Sequence, residues 1–576
     1  MNKSVNVILR NEKEETMEEG KLLLSRRGFL GMGSAALAGM GVVSLAGCAP
    51  RTLSETGEEG SPEAPTGEIA DWLGEPPAIA EDEIAETVET DVLCVGASNG
   101  GLVAGARLAE LGKSVLAVEV LQVPGTFRTS IAAIDSRLQK AQNITVSKAQ
   151  IAHEIQRYMT GQADGRIVKA WADHSGAAMD WLLDLFDEYG IDYYLETDHG
   201  SEDMVYEEWI ITHRLNDAAG AMEALVDRFE KSGGEIRYET PLVKLETDES
   251  GKVTGALCRN LADDTYLRVV ARDGVVLATG GYATNDAMLG ALCPESVGQC
   301  VAKEMSPSQN GDGIKAALWV GAAMDPDGVC QIFDRACVPF GQEYAGPGTD
   351  GVMWWPGSQP FLRTTARGER FSNESTPYDF GVFAIRQQHA NTWVQIFDST
   401  WQGQIAQFRT VGCSRIVDPG TMPGWQPIMP MPVIEEMFHG YLDGGIMQQA
   451  DTIEELAEKT GADPAVLKAT VDRYNELCEK GDDEDFYKES SRMLPLKNPP
   501  YYAARLGGML MCTCSGLTID GDMRVLNKDG EAIEGLYATG NDSGGMFARH
   551  YPSRMSGLTM GRALVFSHHL AEVIAG

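Results

Sequence analysis

Positive charge is scarce in this sequence: Lys and Arg number 47 against 84 Asp and Glu, for a formal net charge of −37. Nucleic-acid binding needs stripes of Lys and Arg against phosphate, so that class is excluded. The carboxylate excess suits a solvated exterior and says nothing about fold. Paired cysteines are missing too. None of the eleven cysteines stands in a C-x-x-C or C-x-x-C-H spacing, so neither a disulfide framework nor a haem attachment site is indicated. The close pair Cys512-Thr513-Cys514 reads as two half-buried core thiols, with a metal or iron–sulfur role as the alternative. What remains is ordinary for a globular protein, 43% hydrophobic with 64 Gly. A chain of 576 residues is too long for one core and predicts two packed domains with appendages.

The N-terminus reads as an address. Ser25-Arg26-Arg27-Gly28-Phe29-Leu30 has the form of a twin-arginine signal, followed by a mildly apolar Gly/Ala-rich stretch from Gly31 to Gly47. That stretch falls short of the roughly 20 strongly apolar residues of a membrane span. It ends in Leu45-Ala46-Gly47-Cys48, which resembles a lipoprotein box with Cys48 as the lipid-bearing residue. The expectation is an extracytoplasmic protein, with residues 1–48 as a twin-arginine lipoprotein-type signal and Cys48 as the lipid anchor. The twin-arginine route exports folded proteins, which points to a cofactor inserted before export. Arg51 to Thr90 carries twelve acidic residues and one basic one, and residues 49–90 are therefore expected to be a disordered tether.

Asp91-Val92-Leu93-Cys94-Val95 is an apolar run fit for a buried parallel strand. Gly96-Ala97-Ser98-Asn99-Gly100-Gly101 follows, then a helical stretch Leu102 to Leu111 and a second strand, Ser114 to Val118, ending in Glu119. This is the strand–turn–helix–strand of a dinucleotide site. Gly96 permits the tight turn, and Gly101 permits close packing of helix on strand. The helix N-terminus points amides at a pyrophosphate, and Glu119 accepts from ribose hydroxyls. Ser98 departs from the pattern, standing where a second Gly is usual.

Four later segments are more specific. Val276-Leu277-Ala278-Thr279-Gly280-Gly281 matches a "V-x-L-A-T-G-G" strand and turn, and Gly311-Asp312-Gly313 a "G-D-G" helix start. Gly535-Leu536-Tyr537-Ala538-Thr539-Gly540-Asn541 matches "G-L-Y-A-x-G", and Arg554-Met555-Ser556-Gly557-Leu558-Thr559 an "R-x-G-G-x-x" loop. In this order they resemble the FAD-dependent flavoprotein family of fumarate reductase and succinate dehydrogenase, which includes soluble reductases and 3-ketosteroid dehydrogenases. The resemblance implies an α/β fold: a doubly wound Rossmann-like FAD-binding domain (residues 91–328 and 506–576) with an inserted α+β capping domain (329–505). It implies FAD contacts at Gly96, Ser98, Asn99, Gly100, Gly101, Glu119, Thr126 and Val243. Further contacts are implied at Ala278, Thr279, Gly280, Asp312, Gly540, Asn541, Ser556, Gly557, Leu558 and Thr559. The FAD is expected to be non-covalent, because the family's covalent form uses a His in the segment after Glu119, and Gly125 to Ser130 contains none.

The family moves hydride between flavin N5 and an activated carbon–carbon bond, while a side chain handles the proton on the neighbouring carbon. In fumarate reductases that side chain is an Arg after "R-F-x-N-E". In Arg370-Phe371-Ser372-Asn373-Glu374-Ser375-Thr376-Pro377-Tyr378, Tyr378 takes its place, as in the similar 3-ketosteroid dehydrogenases. Arg554 falls at the family's substrate-anchoring Arg, with Arg549, His550 and Tyr551 nearby. The "T-E-x-x-R-G" carboxylate clamp is replaced by Gly351 to Gly357, containing Trp354-Trp355, an aromatic wall read as uncharged, with plain core packing of both tryptophans as the alternative. The expected substrate is therefore a partly apolar enone or aryl acrylate rather than fumarate. No second Gly-rich nicotinamide loop, haem motif or metal motif is evident, so electrons are expected from a separate donor, a membrane cytochrome or an exported flavoprotein. The competing readings are a 3-ketosteroid-type dehydrogenase and a non-catalytic exported lipoprotein on the same fold.

Overall fold

Short apolar runs at the chain's opening build a sheet buried on both faces. Val92, Leu93, Cys94 and Val95 lie at 0–3% exposure on the strand Ile84–Val95, as parallel strands covered by helices require. The computed structural model describes residues 72–197, 209–304, 308–342, 351–410, 412–416, 429–549 and 551–576. The signal and lipoprotein-box readings, and the tether as far as residue 71, lie outside the described residues.

The FAD-side sheet has a five-stranded parallel core. Its order is Ala532–Ala538, Thr265–Leu277, Ile84–Val95, Val115–Val118, Glu235–Arg237. The antiparallel strands Leu242–Thr247 and Val253–Asn260 extend it through Thr265–Leu277, and Arg524–Leu526 closes the other edge. Helix Asn99–Glu110 packs on this sheet, and the C-terminal helix Leu558–Ala575 packs on that helix and on the strand Ser130–Ala132. The fold is the expected α/β class.

The tether reading needs a correction, because residues 84–90 form the first half of a twelve-residue strand paired with Tyr266 to Ala271. Three of the acidic residues that suggested disorder have partners on other strands of the sheet. Arg237 holds Glu86 at 2.7 Å, Arg268 holds Glu81 at 2.8 Å and Arg272 reaches Glu89 at 3.5 Å. Val88 and Thr90 between them supply β-branched residues facing the body.

The second sheet has seven strands around the long strand Tyr501–Thr513. Cys330–Cys337, Thr392–Asp398 and Gln448–Ala450 pair with it antiparallel, and Cys300–Lys303 pairs parallel. This central strand runs across the 505/506 boundary drawn from sequence, and Cys300–Lys303 joins the sheet ahead of residue 329. The second sheet thus begins before residue 329 and ends after residue 505. Trp354, Phe397, Trp401 and Phe438 form the aromatic centre of this half, with Trp401 and Phe438 ring centroids 5.2 Å apart. Helices Ile453–Thr460 and Pro464–Lys480 belong to this half, the second capped at its start by the Asp463 side chain.

A buried ion network fixes the segment that leads to Tyr378. Glu374 receives Arg370 at 2.8 Å and Lys488 at 3.4 Å, while Arg370 also holds Asp483 at 2.7 Å. Glu374, Asp483 and Lys488 have fully buried side chains, so each charge depends on its partners. Glu374→Gln leaves two cations against one carboxylate, and we expect a loss of about 3 kcal/mol or more. The measurement is the thermal midpoint of the holoprotein at fixed scan rate beside wild type; an unchanged midpoint would contradict the network's role.

Candidate active site

The cofactor crevice is built from backbone approach. Gly96 has φ +104°, and a Cβ there would lie 2.3 Å from the Ala278 carbonyl oxygen. A Cβ on Gly101 would lie 1.8 Å from the Gly96 carbonyl oxygen. The helix therefore starts against the strand end only because both positions are glycine. Ser98, the departure from the usual pattern, is the N-cap residue of this helix. It is accommodated opposite Gly125, where a Cβ would come within 2.5 Å of the serine's own. Asn99 Nδ2 donates to the Thr126 carbonyl at 3.0 Å, and Gly100 packs on Thr539.

Glu119 is 4% exposed and accepts the Ala97 and Leu121 amides at 2.7 and 3.1 Å. Burial raises its pKa, and these amides oppose the rise. Together with Gly96, Pro241, Leu242, Thr279 and Asp312 it lines a narrow crevice of about 30 Å³. Leu242, rather than the expected Val243 beside it, faces this space.

Asp542, which the sequence reading did not single out, ties the crevice's far side together. Fully buried, it accepts Thr279 Oγ1 at 2.8 Å, the Gly281 amide at 2.9 Å and the Thr279 amide. Its own carbonyl receives the Leu517 amide at 2.8 Å. Gly540 (φ +61°) opens this turn, and Asn541 Oδ1 accepts Arg562 Nη2 at 2.8 Å. The available signal was a carboxylate directly after the Gly-Asn of a recognised turn.

Gly557, at φ +83°, precedes the C-terminal helix, and a Cβ there would meet Ser130 at 2.7 Å. Thr212 Oγ1 donates to the Ser556 carbonyl at 2.7 Å. The Leu558 amide donates to the Tyr551 hydroxyl at 3.0 Å, with the Thr559 hydroxyl beside it. Tyr551 is thereby held at the helix N-terminus. Glycine cradles at Gly96, Gly101 and Gly557, with an acid at the crevice floor, suit a dinucleotide flavin.

Tyr378 begins the helix Tyr378–Ile385 and is 5% exposed. Its ring meets Phe333 edge-on at 4.7 Å, and among the described residues its hydroxyl has no hydrogen-bond partner. Burial drives its pKa well above 10, Cys413, Tyr551 and Asp379 add to the rise, and Arg335 opposes it. Arg554 is 8% exposed and, like Asp379, acts electrostatically on Tyr158. The Asp379 carboxylate accepts the Ser553 amide at 3.3 Å, which joins the two loops. His550 lies outside the described residues, and Arg549 is exposed, bonded to Gln162.

The wall of this region is not uncharged, which corrects the sequence reading. Trp354 is core at 0% exposure, its Nε1 donating to Gln395 at 3.2 Å. Trp355 instead lies against the buried guanidinium of Arg335, 4.9 Å from ring centroid to Cζ. Glu196 bridges two more buried cations, Arg214 at 2.5 Å and Arg415 at 2.6 Å. No local motif marks Arg335, Arg214 or Arg415, because their partners are remote in the chain. Among the described residues no group of three or more His, Cys, Asp or Glu side chains is placed to hold a metal.

Comparison with known proteins agrees with this geometry. The model of a family described as "FAD binding domain" matches residues 91–558. The chain belongs to that family. Its cofactor is FAD, and it is an oxidoreductase acting on CH–CH or C=C bonds. Vinyl phenol reductase of Lactiplantibacillus plantarum is 27% identical over 482 residues, 82% of this chain and 94% of that one. Fumarate reductase (cytochrome) of Shewanella frigidimarina is 26% identical over 525 residues, covering 88% and 78%. The solved 3-ketosteroid delta1-dehydrogenase of Sterolibacterium denitrificans shares the fold, with a TM-score of 0.66 at 21% identity, covering 84% of this chain and 99% of that one.

Gly101→Ala places a methyl group where a carbonyl oxygen stands. The expected product is a folded protein whose absorbance near 450 nm shows FAD occupancy reduced at least about tenfold. Full occupancy in that variant would contradict the close approach.

Proposed function

We propose that the chain is a reductase of a carbonyl-activated C=C bond, an enone or aryl acrylate rather than fumarate, with Tyr378 as proton donor. The observation that carries this reading is the Tyr378 hydroxyl, buried, unpartnered among the described residues and raised well above pKa 10 by its surroundings. Reduction needs an acid at the carbon next to the one that receives hydride. Dehydrogenation needs the phenolate, which burial disfavours. The environment thus favours the reductive direction over the steroid-dehydrogenase reading.

Bound reduced FAD supplies the hydride. The chain's own residues bind the substrate, exclude water and hold the proton. Tyr551, tied to the Leu558 amide, is positioned to polarise the carbonyl. Arg554 is positioned to grip a substrate oxygen.

The cell-envelope address belongs to the same proposal. Arg26-Arg27 and Leu45-Ala46-Gly47-Cys48 support twin-arginine export and lipid anchoring at Cys48. An anchored enzyme without a nicotinamide loop suits a terminal reductase fed by a membrane cytochrome or an exported flavoprotein.

Tyr378→Phe is expected to lower kcat about 100-fold or more with FAD content unchanged, tested with anaerobically reduced enzyme against a panel of enones and acrylates. Retained turnover would remove Tyr378 from the mechanism. In the wild type, reductive kcat should show no falling limb from Tyr378 below pH 10, because the raised pKa keeps the phenol protonated throughout that range. Replacing Arg26 and Arg27 together by Lys should abolish export, and mass analysis of the mature wild-type protein should find an acylated N-terminal Cys48. An unmodified Cys48 would refute the anchor.

A further inference from the structure

The cap buries a cation beside Tyr378, and among the described residues no carboxylate pairs with it directly. Arg335 has no exposed surface and, among the described residues, makes no ion pair. Its Nε donates to Ser358 Oγ at 2.8 Å, and its Nη2 donates to the Cys413 carbonyl and Ser414 Oγ, both at 2.9 Å. Nη1 has no partner. The neighbouring Asp334 does not supply one, since its carboxylate is taken by Arg363 at 2.9 Å and by the Ser358 hydroxyl. The guanidinium is caged by rings, with Cζ 4.5 Å from Phe333, 4.9 Å from Trp355 and 5.6 Å from Tyr378.

Two unpartnered buried donors, Arg335 Nη1 and the Tyr378 hydroxyl, thus lie on adjoining groups. An unpaired buried guanidinium is among the costliest features a fold can carry. Such departures concentrate where a ligand completes the set. The three surrounding rings exclude water from the guanidinium, and that strengthens its pull on an anion.

We propose that Arg335 is the specificity-determining cation of the substrate site, and that it selects an α,β-unsaturated carboxylate over a neutral enone or ester. This deepens the reductase reading and rests on it. As hydride adds to the β-carbon, the C=C electron pair moves to the α-carbon and onto the carboxylate oxygens. The Tyr378 proton then passes to the α-carbon, the carboxylate is restored, and the Tyr378 phenolate regains a proton from solvent. The extra negative charge develops on the carboxylate oxygens beside the carbon that Tyr378 protonates, so a cation next to Tyr378 contributes more in the transition state than in the bound acid.

The test compares 4-hydroxycinnamate, its methyl ester and 4-hydroxystyrene with anaerobically reduced wild type, Arg335→Gln and Arg335→Lys. Wild type should prefer the acid in kcat/KM. Arg335→Gln should lower the acid-to-ester ratio about 100-fold, and Arg335→Lys should keep it within about tenfold of wild type. Equal losses on acid and ester in Arg335→Gln with FAD retained, or wild-type preference for the ester or the styrene, would overturn the inference while leaving the reductase reading intact. Turnover of none of the three would overturn this inference, and the enone and acrylate panel then decides the reductase reading by itself. If Arg335→Gln fails to fold or loses FAD, the wild type decides alone. The saturated aryl propionate should then inhibit and shift the oxidised flavin spectrum where its methyl ester does not, and equal effects of the two would refute the proposal.

Discussion

Three backbone hydrogen bonds at the carboxyl end of the parallel sheet set the geometry on which everything else rests. The Gly96 amide donates to the Val118 carbonyl at 2.8 Å, the Ala278 amide to Val95 at 2.9 Å, and the Thr539 amide to Leu277 at 3.0 Å. Each strand, as it ends, is pinned to the last carbonyl of its neighbour. The three turns that follow therefore leave the sheet in step, and the crevice between them is a consequence of that registration. Ligands in open α/β sheets bind at this edge for the same reason. Asp542 adds a side-chain clamp across two of the turns, so a shift in one would be felt in the other.

Much of the FAD half was legible in the sequence because its constraints are local. A Cβ cannot fit at Gly96, Gly101 or Gly557, and such positions announce themselves as glycine within a few residues of the strand they serve. The tether boundary was misread for the opposite reason. Glu81, Glu86 and Glu89 look like a solvated acidic run until Arg268, Arg237 and Arg272 arrive from strands about 150 to 190 residues later. The aromatic wall failed in the same way. Trp354 and Trp355 are adjacent in sequence, yet one fills the cap core and the other covers a guanidinium contributed by a different strand.

The cap carries its charges under different rules from the surface. Exposed ion pairs such as Lys169–Asp173 contribute little, whereas Glu374, Asp334 and Glu196 sit where an unmatched charge is costly. Each of these three carboxylates is committed to one or more named cations. Arg335 is the exception: among the described residues it makes no ion pair, and its Cζ lies 5.6 Å from the Tyr378 ring. A buried cation thus stands beside Tyr378, although the chain as a whole carries a charge of −37.

That local sign bears on the direction of chemistry. A cation beside a phenol lowers its pKa and would favour a base, whereas desolvation raises it and favours an acid. At Tyr378 the balance falls on the raised side despite Arg335. Burial has the larger effect because an unpartnered hydroxyl has no donor to stabilise its phenolate. An incoming anion held by the guanidinium would remove the one influence that opposes the rise, leaving the tyrosine still more firmly protonated. Substrate binding and acid strength are then coupled: the phenol is most reluctant to ionise when the acid is bound, and it yields its proton only once hydride addition has created a carbanion basic enough to take it.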